Sequence, residues 1–386
     1  MINQTLLQEL NIASNDPEKK EQIILDTVLN TLQNKDYSNT YSIISNISSI
    51  WPNISTARIT KIIKKTIDNL PKEIDENILF LLQNLVDWSN KEGRKLLKLD
   101  LEVKKVGFLL IFKKYKECLE NITRVLKELK KFDDKENQIR LYVYESKAYY
   151  ELNDSSRARS AMTSARALAV SSYCSTDLQA QIDLLSGMFV CDENQHSIAY
   201  SYFLESLDGF IISKNNYGAT LSVRYLILSK IMDKKFDEIN VILKNKPILP
   251  FLKDEVIIFF LKVKEACKCR NLKDYQEILT HHPHLLVEDT FIKKHLTELY
   301  NILFENNILK IIEPYSNLKI EIISKNLNFS VHEIEEKLRK MILDGKINGI
   351  IDNANHSLIL YERKNDKKFN DLLENIEELK CNVNSL

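Results

Sequence analysis

Apolar residues recur three and four positions apart through most of the chain, the period of an amphipathic helix. Short polar turns interrupt them, and an aromatic or small residue after each turn opens the next apolar stripe. Lys35-Asp36-Tyr37 precedes a helix carrying Tyr41, Lys113-Lys114-Tyr115 precedes Cys118, and Asn153-Asp154-Ser155 precedes Ala158. Further on, Asn194-Gln195-His196 precedes Ala199, Lys234-Lys235-Phe236 precedes Ile239, and Asn271-Leu272-Lys273 precedes Tyr275. From Cys118 through Ala158 and Ala199 to Ile239 the interval is about 40 residues, the length of two helices and two turns. One helix pair of that size cannot bury its own apolar face, so successive pairs must stack into a solenoid.

Small residues explain how those helices pack. Ala158, Ala161 and Ala165 lie three and four apart and form a flat strip that a neighbour can approach closely. Gly187 costs about 1 kcal/mol of helix propensity and is expected at a close crossing of the same kind. The pattern changes after about His295. Pro314 breaks the helix ending in Ile311-Ile312-Glu313, and Ile320 to Leu327 reads as a short helix. Ser330 with Glu333 forms a capping box for a helix carrying Val331, Ile334, Leu338, Met341 and Ile342 on one face and ended by Asp344-Gly345. Lys346 to Ile351 and Ser357 to Tyr361 are β-like runs joined through Asp352-Asn353-Ala354-Asn355. Helix, turn, helix, two strands is a winged-helix order. Beyond it Phe369, Leu372, Ile376, Leu379, Val383 and Leu386 step 3-4-3-4-3, the spacing of an a/d seam. That seam either folds back on the wing or supplies one strand of an intermolecular helical bundle.

Composition narrows this picture. Only 7 Gly and 7 Pro in 386 residues exclude folds that depend on many tight turns or glycine loops, and the chain is expected to be nearly all α. Lys+Arg 54 against Asp+Glu 54 gives a net charge of +0, so no global field favours nucleic acid or membrane. A signal peptide and a stretch of about 18 apolar residues are both absent, and the six scattered cysteines read as reduced thiols, which points to cytoplasm and nucleus.

The parts for chemistry are missing. Neither G-x-x-x-x-G-K-[ST] nor G-x-G-x-x-G occurs, nor do G-x-S-x-G and H-E-x-x-H, so no catalytic residue and no cofactor are expected. His281, His282 and His284 with Cys267 and Cys269 are the densest soft ligands, but the two cysteines would face different sides of a helix, and turn histidines around Pro283 are the better reading; no metal is assigned. An H-x-H isopeptidase would need a downstream S-x-x-D, and Ile292 and His295 stand where that serine and aspartate belong. DNA reading through the winged helix is disfavoured by Glu333, Glu335 and Glu336 in its first turns. Instead, Glu333, Glu336, Lys337 and Lys340 are candidate protein-contact residues. Lys91 to Lys131 holds 13 Lys/Arg and 6 Asp/Glu, which an acidic partner or RNA could use, although lysines solvating amphipathic helices explain it as well and no aromatic interleaving favours RNA.

Helical repeats feeding a winged helix resemble the PCI architecture of the proteasome lid, the COP9 signalosome and translation initiation factor 3. The closer resemblance is to the non-ATPase regulatory subunit 11 family of the 26S proteasome. It rests on Leu126-Lys-Glu-Leu-Lys-Lys-Phe-Asp-Asp-Lys135, Glu145-Ser-Lys147, Ala158-Arg-Ser-Ala-Met-Thr-Ser-Ala-Arg166, Tyr173-Cys174, Leu178-Gln-Ala180, Ser186-Gly187, Ala199-Tyr-Ser-Tyr-Phe203, Ile312-Glu-Pro-Tyr-Ser316 and Met341-Ile-Leu-Asp344. It runs from about Trp88 to Tyr361; Ser175-Thr176 and Lys246-Pro247-Ile248-Leu249-Pro250 depart from it, and the first 80 residues match weakly.

The resemblance implies a mostly α protein: a right-handed α-solenoid of TPR-like helical repeats (1–195), a PCI domain (196–362, helical repeats 196–312 and winged helix 313–362) and a C-terminal helix (363–386). It further implies a non-catalytic lid scaffold serving ubiquitin-dependent degradation. The solenoid would reach the ATPase ring and the outer ring of the core particle, the winged helix would stack with other PCI subunits, and the terminal helix would join a bundle with the lid's metalloprotease pair. A scaffold of the COP9 signalosome, subunit 2 type, and an RNA- or initiation-complex-binding module are the alternatives.

Overall fold

The computed structural model describes residues 17–47, 51, 54–71, 75–282, 289–327, 329–352, 356–361 and 376. Along them run helices α1 (Pro17–Gln33), α2 (Tyr37–Ser45), α3 (Thr56–Asp68), α4 (Glu76–Lys91), α5 (Lys95–Ile111), α6 (Tyr115–Phe132), α7 (Lys135–Glu151), α8 (Ser155–Ser171), α9 (Thr176–Asp192), α10 (His196–Ile212) and α11 (Asn216–Met232). After them come α12 (Phe236–Ile242), a 3-10 turn at Leu249–Phe251, α13 (Glu255–Cys269), α14 (Leu272–His281) and α15 (Thr290–Ile312). The last elements are β1 (Asn317–Lys319), α16 (Ile320–Leu327), α17 (Val331–Leu343), β2 (Gly349–Asp352) and β3 (Ser357–Leu360). The described chain divides into two compact units, at Ser229/Lys230.

One turn geometry makes the repeat. At Lys35, Gly93, Lys113, Asn153, Asn194, Lys214, Lys234, Arg270 and Gly345 the residue past the helix takes a left-handed φ, between 55° and 70°. Its N–H donates to the carbonyl three residues back and the following N–H to the carbonyl five residues back, as in Lys113 to Leu110 and Lys114 to Leu109. Glycine usually fills that position; here lysine, asparagine and arginine mostly do, each at a backbone cost of about 1–2 kcal/mol or less. That substitution is how a chain with 7 Gly makes so many turns. The polar triplets read in the sequence begin on these residues, except that the turn before α14 starts one residue earlier, at Arg270.

In the first unit neighbouring helices pack pairwise, α7 on α8 and α9 on α10 most extensively. Ala158, Ala161 and Ala165 of α8 are buried, and the Ser146 hydroxyl of α7 donates to the Ala158 carbonyl at 2.9 Å. Gly187 of α9 faces Phe203 of α10 so closely that a Cβ would fall 2.6 Å from the ring. Gly218 meets Phe210 in the same way at 2.7 Å, and Gly209 stands against Ala180. The Ser206 hydroxyl donates to the Ala180 carbonyl and bonds Ser222, so both buried hydroxyls are satisfied where α9, α10 and α11 come close.

In the second unit Tyr275 of α14 is fully buried and its hydroxyl donates to the Leu296 carbonyl at 2.8 Å, tying α14 to α15. The change of pattern near His295 falls inside α15, where His295 is buried against Phe291. After Pro314 the chain builds a winged helix. Ser330 and Glu333 close the capping box, and Ile334, Leu338 and Met341 of α17 are buried. Val331 is not part of that face: it sits in the first turn, and 37% of it is exposed. The sheet has order β1-β3-β2, with Leu318 opposite Leu358 and Ile350 opposite Ile359. Strand β1 follows Pro314 so briefly that its apolar alternation is reduced to Leu318 alone. The second strand begins only at Gly349, because Lys346 and Ile347 still hydrogen-bond back to Met341 at the end of α17.

Candidate docking site

Helix α17 presents the residues read as candidate contacts, and the structure gives them different duties. Glu333 is spent locally, its carboxylate accepting from the Ser330 N–H at 3.3 Å. Lys337 turns inward, 3.0 Å from Glu305 of α15 and 3.2 Å from the Asn301 side chain. Lys346, past the end of α17, reaches the other oxygen of Glu305 at 2.6 Å. Burial pushes the Glu305 carboxyl up, but the hydrogen bonds from Lys346 and Lys337, with their charges, outweigh it and hold the group below the ordinary carboxylate value. Glu336 and Lys340 remain open to solvent. The wing adds what the sequence reading did not single out: Ile350 and Ile359, register partners on adjacent strands, are 53% and 36% exposed and lie on the same outer face. Three apolar residues in a row, Leu358 to Leu360, gave no alternation to mark it; only the strand's two faces, with Leu358 buried, leave Ile359 pointing outward. Phe369, Leu372, Leu379, Val383 and Leu386 lie outside the described residues; Ile376 is described as helical and exposed.

Also in the second unit, a cleft of about 1230 Å³ lies between the helix ends and the wing. Leu309, Ile347 and Leu360 give it apolar walls, and Tyr315 and Tyr361, both about half exposed, stand at it. Lys234, Arg270 and Lys310 line it with exposed side chains and no acidic partner among the described residues, whereas Lys268 is held by Asp237 and Lys346 by Glu305. Among the described lining residues Glu313 is the carboxylate.

Other groups that could carry chemistry sit as follows. Burial pushes the Cys118 and Cys267 thiols up to about 12, so neither is a thiolate near neutral pH. Cys267 is buried and Cys269 exposed on the same helix, His282 packs edge-on against Phe259, and His284 lies outside the described residues. Among the described residues no group of three His, Cys, Asp or Glu is placed to hold a metal ion, and no helix is long and apolar enough to cross a membrane. Lys147 is brought down to about 8 by burial, partly offset by Asp177, but it does not line this cleft.

The basic stretch from Lys91 to Lys131 is less bare than its charge count. Lys104 pairs with Asp68 at 2.6 Å and Lys114 with Glu76 at 3.0 Å, both acids lying outside the stretch. Lys98 and Arg124 gather on Glu102, and Arg94 lies over the Trp88 ring. Neighbouring helices thus neutralise part of what sequence counting treats as free.

A family profile for the PCI domain matches residues 272–362, which contain α14, α15 and the winged helix. The chain is 33% identical over 342 residues to the 26S proteasome non-ATPase regulatory subunit 11 of Dictyostelium discoideum, covering 88% of this chain and 82% of that protein. It is 32% identical over 335 residues to the 26S proteasome regulatory subunit RPN6 of Saccharomyces cerevisiae, covering 86% and 77%. The probable 26S proteasome regulatory subunit rpn6 of Schizosaccharomyces pombe is 30% identical over 338 residues, covering 86% and 79%.

Proposed function

Because the chain belongs to the family of 26S proteasome non-ATPase regulatory subunit 11, also called RPN6, we propose that it is a non-catalytic scaffold of the proteasome's regulatory lid and serves ubiquitin-dependent protein degradation. The observation that carries this reading is the extent of the likeness: it takes in the helical repeats as well as the PCI domain, covering 82% of one relative and 77% of another. A PCI domain alone would fit several assemblies.

In this reading the first unit reaches toward the ATPase ring and the outer ring of the core particle, bracing lid to core. The winged helix meets neighbouring PCI subunits through Glu336, Lys340 and the apolar pair Ile350 and Ile359, and the seam from Phe369 to Leu386 joins a helical bundle that includes the lid's metalloprotease pair. The protein works in cytoplasm and nucleus. The thiol and histidine environments above support a docking role: the buried cysteines Cys118 and Cys267 are held as thiols, and among the described residues no nucleophile sits beside a base in the cleft.

The test is a native pull-down with mass spectrometry from the source organism. Recovery of lid and core subunits is expected, together with their loss when residues 369–386 are deleted. Recovery of a cullin-deneddylating complex instead, or salt-sensitive RNA in place of proteasome subunits, would overturn the assignment.

A further inference from the structure

We propose that the cleft of the second unit docks an acidic, amphipathic segment of a partner protein. Its charge is one-sided. Lys234 in the turn after α11, Arg270 at the end of α13 and Lys310 in the last turn of α15 line it, exposed and without acidic partners among the described residues. Lys268 and Lys346 are already held by Asp237 and Glu305, so these three are the cations an incoming carboxylate can pair with. A cation at a helix C-terminus answers the helix's own dipole, but that accounts for no apolar wall beside it. Here Leu309, Ile347 and Leu360 stand with the cations, and Tyr315 and Tyr361 are 49% and 54% exposed. Tyrosine and arginine beside aliphatic side chains make the composition of a protein-binding surface.

The occupant's class follows from the cleft's size and lining. About 1230 Å³ exceeds the roughly 300–1,000 Å³ of small-molecule sites, so a peptide fits it better than a metabolite or a free anion. Aliphatic side chains dominate the lining, with no run of aromatic faces on which bases would stack, which favours a peptide over RNA. The segment's carboxylates would meet the three cations, which steer the encounter and fix its direction, while its apolar side chains cover the walls. The inference does not depend on the lid reading, since it concerns the isolated chain.

Fluorescence anisotropy on the purified full chain tests it. The probe is a labelled peptide of about 15 residues with leucines at helical 3-4 spacing and glutamates between them. Glutamine in place of the glutamates is expected to weaken binding at least about tenfold, and Arg270→Glu/Lys310→Glu to do the same. Lys325→Glu, which alters an exposed cation of α16 outside the cleft, should leave binding unchanged. A peptide with lysine for glutamate should prefer the Arg270→Glu/Lys310→Glu chain to wild type, a gain that a misfolded variant could not show. No binding of the acidic peptide to wild type, or equal binding of its glutamine version, would overturn the inference. So would tighter binding of an oligouridylate that the cleft substitutions abolish, the mark of an RNA site. A Glu374→Lys/Glu378→Lys chain binding the peptide at least about tenfold more tightly would make the chain's own acids the occupant, and an affinity that falls as protein concentration rises would make it a second copy; either result also overturns it.

Discussion

The first unit and the winged helix of the second solve the same problem, fastening helices together, with a different balance of means. In the first unit, several polar pairs between helices lie largely at the surface, as in Lys104 with Asp68 and Lys114 with Glu76, so each contributes little, although Glu21 and Glu102 each gather two cations. The fastening there is apolar and steric: Gly187 against Phe203, Gly218 against Phe210, the alanine strip of α8. At the winged helix one carboxylate of the preceding α15, Glu305, gathers lysines from α17 and from the turn before β2. A stack of like units spreads its stability over many close crossings, whereas a motif drawn from chain segments about 40 residues apart is joined at a node.

The sharpest test of the steric half is Gly187→Ala. The added Cβ would fall 2.6 Å from the ring of Phe203, itself fully buried and packed edge-to-face with Tyr225, so the ring must shift within a close-packed interior. A loss of about 2–3 kcal/mol is expected in chemical denaturation, far more than the helix propensity alanine regains. Hydrogen exchange should locate the loss in α9 and α10 and leave α17 and the wing unchanged. Phe203→Leu in the same chain should recover part of it. If Gly187→Ala were neutral, close crossing would not be what fastens these helices.

The node is broken by Glu305→Gln, expected to cost about 1–2 kcal/mol, since Glu305 is only 15% exposed and two ammonium groups lose their anion. The pH dependence follows. The carboxyl titrates below its ordinary value in the folded chain, so its contribution is full above about pH 4.3, the unfolded value, and is lost as pH falls through the lower, folded one. Wild type should therefore lose winged-helix stability over that acid range by more than Glu305→Gln does. Equal acid sensitivity of the two proteins in that region would remove Glu305 as the joining group.

The same contrast explains what could be read from the sequence. The repeats were legible because each uses the same local code, a polar triplet followed by an aromatic or small residue, and hydrogen bonds spanning only three and five residues fix the turn. Helices α16 and α17 were legible from Pro314, the Ser330–Glu333 box and Gly345, all local signals. Strand β1 was not, because three residues with one buried position carry no alternation, and their partner Ser357–Leu360 is far along the chain. Nor was Glu305, a lone acid in the middle of α15 whose partners appear only when α17 packs beside it. The net charge of Lys91 to Lys131 misleads for the same reason: Asp68 and Glu76 come from helices outside it. The cleft, assembled from parts between Lys234 and Tyr361, has no local signature at all.

The smallest effect probes the turn the repeats share. Gly93 and Lys113 occupy equivalent positions at the ends of α4 and α5, with φ of 70° and 58°. At Gly93 a Cβ would meet nothing within 4 Å, so Gly93→Ala isolates the backbone term, and a loss of about 1 kcal/mol is expected without any steric contribution. Lys113 already bears that strain, and its turn makes the same pair of backbone bonds, to Leu110 and Leu109. Lys113→Gly should therefore gain stability, by less than about 1 kcal/mol, because the relief of the left-handed conformation exceeds the entropy glycine adds to the unfolded chain. The two changes should move the denaturation midpoint in opposite directions at unchanged slope. A destabilising Lys113→Gly would mean that the lysine side chain fastens the turn by contacts of its own, and that the repeats tolerate left-handed lysines for a reason beyond the backbone.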